Sequence, residues 1–231
     1  MAKSYFTLCL DCEGKDCLMI GGGDEAFEKS VRFWEAGANL SVVSRRFNDD
    51  FREWLEKEKI PYQVRDWVEG DVRAKFFAIN TIKSDPAVSQ AIWDACRREN
   101  CLLSAYDQPK VCNIAMAALA RVGKLRIAIS SNGQAPTVAR RLRLTMEADL
   151  FDQEFVDFVD WVAEYREDMV RQGVEPQERR RRLRGIMKGF RVTGGFRYPR
   201  EFPGRRGLLG RLRDRLFGKR MPVNTWPGPK D

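Results

Sequence analysis

Residues Cys17-Leu18-Met19-Ile20 form a short apolar run that ends in Gly21-Gly22-Gly23 and passes at once into Asp24-Glu25-Ala26, the start of a helix-forming segment. This junction constrains the fold more than any other part of the chain. A strand that turns directly into a helix needs a backbone free of side-chain obstruction, which three consecutive glycines supply. Read as Gly21-x-Gly23-x-x-Ala26, the junction has the spacing of a dinucleotide-binding turn. Gly21 then permits the tight turn and Gly23 lets the backbone approach a pyrophosphate. Ala26 keeps helix and strand close, and the helix start offers N–H groups and partial positive charge to phosphates. An ordinary βα turn of some other α/β protein shares the local pattern.

The segments that follow repeat the unit. Cys17–Ile20, Leu40–Val43, Tyr62–Val64, Phe76–Ile79 and Leu102–Ala105 read as strands. Helical patterns over Glu25–Ala36, Asp49–Lys57 and Pro86 to about Glu99 alternate with them, Gly37 stopping the first. Short connections between such units predict a parallel sheet covered by helices, with right-handed crossovers. The period then changes. Ile114–Ala120 and Leu125–Ile129 around Val122-Gly123-Lys124 predict an antiparallel hairpin. A polar loop, Ser130–Pro136, leads into a basic amphipathic helix, and Phe151 to Met187 reads as two helices broken near Gly173–Pro176. The expected class is α/β: a Rossmann-like sheet domain over 1–112, a small α+β region over 113–149 and a helical region over 150–189. Beyond it, 190–231 is a Gly/Pro/Arg-rich tail expected to be poorly ordered, with Leu208, Leu209, Leu212 and Leu216 on one face of a short basic helix.

Charge and cysteine content narrow the chemistry. The 231 residues carry a formal net charge of +8, much of it in Arg179–Arg182 and Gly204–Arg220, which favours anionic partners without naming one. Nucleic acid, phospholipid or a polycarboxylate metabolite all qualify. No apolar run approaches the roughly 20 residues that span a bilayer. Met1–Phe6 lacks the apolar core of a signal peptide, so the expected location is the cytoplasm. Six cysteines and no histidine are present. Cys9-x-x-Cys12 and Cys17 lack the second pair or the histidines of a zinc site and read as structural thiols, so the expected metal site is none. Proton chemistry falls to Asp, Glu, Lys, Tyr or Cys.

In open parallel sheets ligands bind outside the carboxyl ends of the strands. Besides Gly21, Gly23, Asp24 and Glu25, two positions lie there. Ser44-Arg45-Arg46 stands where an NAD-binding chain usually places an acid for the ribose hydroxyls. Arginine there suits a 2′-phosphate and hence NADP, or it faces solvent or the substrate. Asp107, in Ser104-Ala105-Tyr106-Asp107-Gln108-Pro109, follows the fifth strand as a general base or as a turn residue before proline. Ser130, Ser131 and Asn132 gather hydroxyls, an amide and backbone N–H groups that suit an anion, or they cap the following helix.

In this order these features resemble the precorrin-2 dehydrogenase/sirohydrochlorin ferrochelatase family, the N-terminal part of siroheme synthases. The resemblance runs from about Tyr5 to Met187. It is carried by Cys17–Asp24, Glu28-Lys29-Ser30-Val31-Arg32, Glu35-Ala36-Gly37-Ala38 with Val42-Val43, Asp107-Gln108-Pro109, Ile127–Pro136 and Ala139–Arg143. It implies NAD-linked oxidation of precorrin-2 to sirohydrochlorin in siroheme biosynthesis, and in some members ferrous iron insertion. It implies an intertwined homodimer formed after the Rossmann domain. It puts the key aspartate at Asp107, nucleotide contacts near Gly23, Asp24, Glu25, Arg45 and Arg46, and the serine loop at Ser130 and Ser131 beside the tetrapyrrole. A polyanionic macrocycle suits a basic cleft to which Arg140, Arg141 and Arg143 contribute. Three segments depart from the family pattern: Ser104-Ala105-Tyr106 replaces Asn-Val-Val, Ile114–Ala117 replaces Phe-x-x-Pro, and Asn80–Asp85 replaces Ala-Thr-Asp-Asp. Two readings compete: a diverged tetrapyrrole- or dinucleotide-binding module without turnover, and a tail that contacts membrane lipid or nucleic acid.

Overall fold

The computed structural model describes residues 5–188 and 190. Its first element is a five-stranded parallel sheet built from β1 (Asp16–Ile20), β2 (Asn39–Ser44), β3 (Tyr62–Val64), β4 (Phe77–Asn80) and β5 (Leu102–Ala105). The strand order is β3-β2-β1-β4-β5. The direction of travel reverses between β1 and β4, the switch point where such sheets open a crevice for ligands. Helices α1 (Asp24–Glu35), α2 (Asp49–Lys57) and α3 (Pro86–Arg98) make the crossovers.

Two apolar clusters, one on each face, explain why β1 is central. Cys17 and Met19 pack with Phe33, Val42, Phe51, Leu55, Phe77 and Ile79. Leu18 and Ile20 pack with Val43, Val72, Ala78, Ile92 and Leu103. Successive β1 residues point to opposite faces, and both faces are buried from Cys17 to Ile20, so the strand is apolar throughout instead of alternating. Phe51 is fully buried and stacks on Phe27, 5.2 Å between ring centres. Truncating such a ring costs about 3–5 kcal/mol.

Local chemistry sets the helix ends. Asn48 caps α2, its Oδ1 accepting from Phe51 N–H at 3.2 Å. Asp85 caps α3 through Ala87 and Val88 N–H, with Pro86 in the first turn, where a missing N–H costs nothing. Gly37, at φ +75°, closes α1 in the left-handed region.

After the sheet come an antiparallel hairpin of β6 (Ala118–Val122) and β7 (Leu125–Ile129), then α4 (Pro136–Asp149), α5 (Gln153–Arg171) and α6 (Pro176–Met187). The hairpin starts at Ala118 instead of the expected Ile114, and the cause is visible. Asn113 N–H and Ile114 N–H both donate to Leu103 O at 3.0 Å, while Asn113 Oδ1 accepts from Leu103 N–H at 2.8 Å. Residues 113–114 are thereby spent covering the open edge of β5. Two short 3-10 turns, Glu69–Val72 and Pro109–Val111, were not anticipated. The chain separates into two compact units between Asp168 and Met169, within α5, so α6 belongs to the second. The expected tail over 190–231, with its Leu208–Leu216 helix, lies outside the described residues apart from Phe190.

Candidate nucleotide-binding edge

The glycine turn is held from two sides. Gly21 sits at φ +129°, where a side chain is strained, and a Cβ there would lie 2.0 Å from Thr81 Oγ1. A Cβ on Gly22 would lie 2.0 Å from Arg46 O. Gly21 N–H donates to Val43 O at 3.0 Å and Asn48 N–H to Gly22 O at 2.9 Å. Gly23 differs: a Cβ there meets nothing within 4 Å. Gly23 is the N-cap of α1 and supplies no side-chain cap, so the first N–H groups of the helix open onto that free space. The three glycines therefore divide the work: Gly21 and Gly22 allow the backbone to pack, and Gly23 keeps the approach to the helix start clear.

Asp24 and Glu25 occupy the first turn of α1. Asp24 Oδ1 accepts from Asn48 Nδ2, tying α1 to the α2 cap. Glu25 pairs with Lys29. Burial by itself raises the Glu25 carboxyl, but the Lys29 ammonium, a hydrogen bond from Tyr106 and the nearby Lys83 outweigh it and hold the group below its ordinary range.

At the exit of β2, Arg45 is bound by Asp66 from the β3 exit: Nη2 donates to Oδ2 at 2.9 Å and Nε donates to Oδ1. The hydrogen bond that Arg45 donates to Asp66 raises Arg45 above the usual guanidinium value and lowers Asp66. Arg46 fixes the turn through its carbonyl, which accepts from Ser44 Oγ at 2.7 Å. Its guanidinium is exposed and has no polar partner among the described residues.

The exits of β4 and β5 complete the edge. Asn80 is fully buried; its Oδ1 accepts from Ile82 N–H at 2.8 Å and its Nδ2 donates to Ser89 Oγ at 3.2 Å. Ile82 O accepts from Ser89 Oγ and from Gln108 Nε2, both at 2.9 Å, which locks the β4 and β5 loops together. Asp107 sits at φ +57°, a conformation Asp tolerates better than most residues. Its carboxylate faces solvent 3.6 Å from Lys83 Nζ. Tyr106 lies between two ammonium groups, 4.8 Å from Lys29 and 5.1 Å from Lys83 to the ring centre. The hydrogen bond to Glu25 raises the Tyr106 hydroxyl. Glycine turn, Glu25, Tyr106, Lys83 and Asp107 thus form one connected edge.

The serine loop stands apart from it. Ser130 Oγ accepts from Asn132 N–H at 3.1 Å, and Ser131 Oγ from Ala135 N–H at 3.0 Å. Both hydroxyls shape the loop, with Asn132 at φ +53° and Gly133 at φ +75°. Arg140 and Arg141 are exposed on α4, while Arg143 pairs with Glu147 at 2.6 Å. Among the described residues no hydrogen bond or ion pair joins Asp107 to Ser130, Ser131, Asn132 or Arg140. Tyr5 bridges the two regions instead: its N–H donates to Asn132 Oδ1 at 3.4 Å, and its hydroxyl lies 4.0 Å from Cys112 Sγ, five residues past Asp107. A cavity of about 330 Å³ lies elsewhere, lined by Glu28, Val31, Arg32, Leu119, Arg121, Arg143 and Glu147. Its arginines are spent on Glu28, Glu35 and Glu147.

Lys29, Lys83, Tyr106 and Asp66 were not singled out from the sequence. The departures at Asn80–Asp85 and Ser104–Tyr106 were the available signal for Lys83 and Tyr106. Nothing in the sequence marked Asp66. The cysteines are six free thiols. Burial pushes Cys17 up to about 12, with Cys12 and Cys101 beside it.

Two family models match in series: "Putative NAD(P)-binding" over residues 8–118 and "Sirohaem biosynthesis protein central" over residues 122–148. Siroheme synthase of Nitrosococcus oceani is 26% identical over 162 residues, 70% of this chain and 34% of that protein. Siroheme synthase of Enterobacter sp. is 32% identical over 136 residues, 59% of this chain and 30% of that protein. The chain thus spans about a third of the length of the curated relatives it matches. Among solved structures, "SirC, precorrin-2 dehydrogenase" superposes with a TM-score of 0.70 at 23% identity, covering 80% of this chain and 90% of that one. The likeness establishes a shared fold, and the α/β class read from the sequence is the one observed. The model that is specific to sirohaem biosynthesis covers residues 122–148, and the siroheme synthases of Nitrosococcus oceani and Enterobacter sp. align over 162 and 136 residues.

Proposed function

We propose that this chain, similar to siroheme synthases over part of its length, is a nicotinamide-dependent dehydrogenase that oxidises precorrin-2 to sirohydrochlorin in siroheme biosynthesis. The observation that carries the reading is the clear space at Gly23 before an uncapped helix start, joined through Glu25 and Tyr106 to a solvent-facing Asp107. The residues present fit a dinucleotide: the space at Gly23 is open, and the uncapped backbone N–H groups of the α1 start would supply donors to a pyrophosphate. When bound, the nicotinamide accepts a hydride from a ring carbon of the substrate. Asp107 is placed to take the accompanying proton from a pyrrole nitrogen, so two electrons and two hydrogens leave the macrocycle together. Ser130, Ser131 and Asn132, with Arg140 and Arg141, hold the carboxylates of the polyanion. NAD is the proposed dinucleotide, because Asp66 already neutralises Arg45; Arg46 is the guanidinium left for a 2′-phosphate.

The same Asp107 would assist ferrous iron insertion by withdrawing pyrrole protons. Residues 1–112 bind the nucleotide in this reading, 113–149 form a homodimer and 150–189 are helical. Support for the homodimer comes from the two-stranded β6–β7 sheet, whose Leu125, Ile127 and Ile129 are only half-buried. Six free thiols suit the reducing cytoplasm. The test is anaerobic incubation with precorrin-2 and NAD+ or NADP+, followed by absorbance, with and without ferrous iron. NADH or NADPH formation with sirohydrochlorin is expected. Tight sirohydrochlorin and nucleotide binding without any turnover would replace this reading with that of a binding module.

A further inference from the structure

Lys83 differs from the other cations at this edge of the sheet. Lys29 is 13% exposed and paired with Glu25, and Arg45 is bound by Asp66 at two atoms. Lys83 is 59% exposed, with its Nζ 3.6 Å from Asp107. A charge-assisted N–H···O bond spans about 2.7–2.9 Å, so this pair leaves the ammonium's donors largely uncommitted. The backbone beneath it is rigid: the preceding residue, Ile82, is held by Asn80, Ser89 and Gln108. Tyr106 backs the ammonium with an aromatic face, and Glu25 in turn holds the Tyr106 hydroxyl. The result is an accessible cation fixed beside Asp107, at the edge where a parallel sheet presents its ligands.

We infer that Lys83 is a receptor for a peripheral carboxylate of the substrate, an inference that rests on the polycarboxylate tetrapyrrole reading above. A carboxylate arm entering this edge beside Asp107 meets Lys83, whereas Arg46, the other exposed cation of the edge, lies at the β2 exit. By taking that arm, Lys83 draws away from Asp107 and leaves the aspartate free for a ring N–H.

The test compares wild type, Lys83→Met and Lys83→Arg. The readouts are Kd for sirohydrochlorin by tryptophan-fluorescence quenching, KM and kcat with precorrin-2, and Kd for NADH. Lys83→Met is expected to raise the sirohydrochlorin Kd and the precorrin-2 KM together by about five- to tenfold, the worth of one accessible charge-assisted contact. The kcat and the NADH Kd stay within about twofold, and Lys83→Arg recovers most of the loss. At about 1 M KCl, where the screening length is about 3 Å, the wild-type advantage shrinks. Unchanged sirohydrochlorin binding in Lys83→Met overturns the inference. So does a loss confined to kcat, which would make Lys83 a positioning residue for Asp107. So does an arginine variant no better than methionine. Wild type that neither binds sirohydrochlorin nor turns over precorrin-2 removes the functional reading itself, and Lys83 with it.

Discussion

Gly22 and Gly23 are neighbours with opposite work, and alanine at each separates folding from binding. In Gly22→Ala the new methyl would lie 2.0 Å from Arg46 O, 2.9 Å from Arg46 C and 2.9 Å from Ser44 Oγ. A carbon and a carbonyl oxygen rest at well over 3 Å, so the backbone of the β2–α2 loop must move by more than 1 Å. That loop carries the Ser44 Oγ to Arg46 O bond at 2.7 Å and the Asn48 N–H to Gly22 O bond at 2.9 Å. Overpacking costs about 1–3 kcal/mol and each weakened hydrogen bond about 1 kcal/mol. The expected destabilisation is about 2–4 kcal/mol, which for a chain of this size lowers Tm by roughly 4–16 °C.

In Gly23→Ala the methyl meets nothing within 4 Å, and the backbone is extended at φ −95°. The expected cost to the free protein is below about 1 kcal/mol, the loss of a tolerated N-cap. If the pyrophosphate takes the open side of Gly23, as proposed, the methyl obstructs it and NADH affinity should fall at least about tenfold. Urea unfolding followed by tryptophan fluorescence, with NADH titrations on the same samples, reads both quantities. Gly22→Ala as stable as wild type would refute the packing argument. Gly23→Ala with intact NADH binding would refute the assignment of the open side to the nucleotide.

Replacing Asp107 by Ala should abolish most turnover of precorrin-2, on the order of a hundredfold or more, while NADH binding persists; full turnover would sink its catalytic role. Burial alone would raise the Asp71 carboxyl, but Arg65, with hydrogen bonds of 2.8 and 2.5 Å, the Val68 N–H and Lys75 outweigh it and lower the group. A depressed folded value means that its stabilisation is complete above about pH 4 and is lost as pH falls through that value. The Tm gap between wild type and Asp71→Asn should therefore be widest near neutrality and close at low pH; a constant gap would refute the linkage. Cys9 is exposed and the other five cysteines are buried, so a thiol-reactive disulfide reagent at pH 8 should label one site quickly and five only on unfolding. Fast labelling of Cys17, whose thiol burial holds up to about 12, would contradict its placement.

What the sequence disclosed depended on the range of the interaction. The glycine turn, the start of α3 at Pro86 and the apolar β1 are decided within a few residues, so pattern alone reached β2, β3, α2, α3 and β5 with little error. Arg45 is 21 residues from Asp66, and Lys83 is 24 from Asp107. Those pairs exist only because the strand order sets β2 beside β3 and β4 beside β5. A one-dimensional reading finds the arginine and the aspartate and misses what neutralises or accompanies them. The same cause moved the start of the hairpin: Ile114 opens an apolar run in sequence, yet Leu103 captures it and the preceding Asn113 across the edge of β5. Charge at this site therefore follows from topology. Arg45 is a free cation in sequence and a neutralised one in the fold, whereas Lys83 is unremarked in sequence and is the accessible ammonium beside Asp107. Lys83→Met, a substitution expected to weaken substrate binding, thus lies outside every glycine and serine motif of the chain.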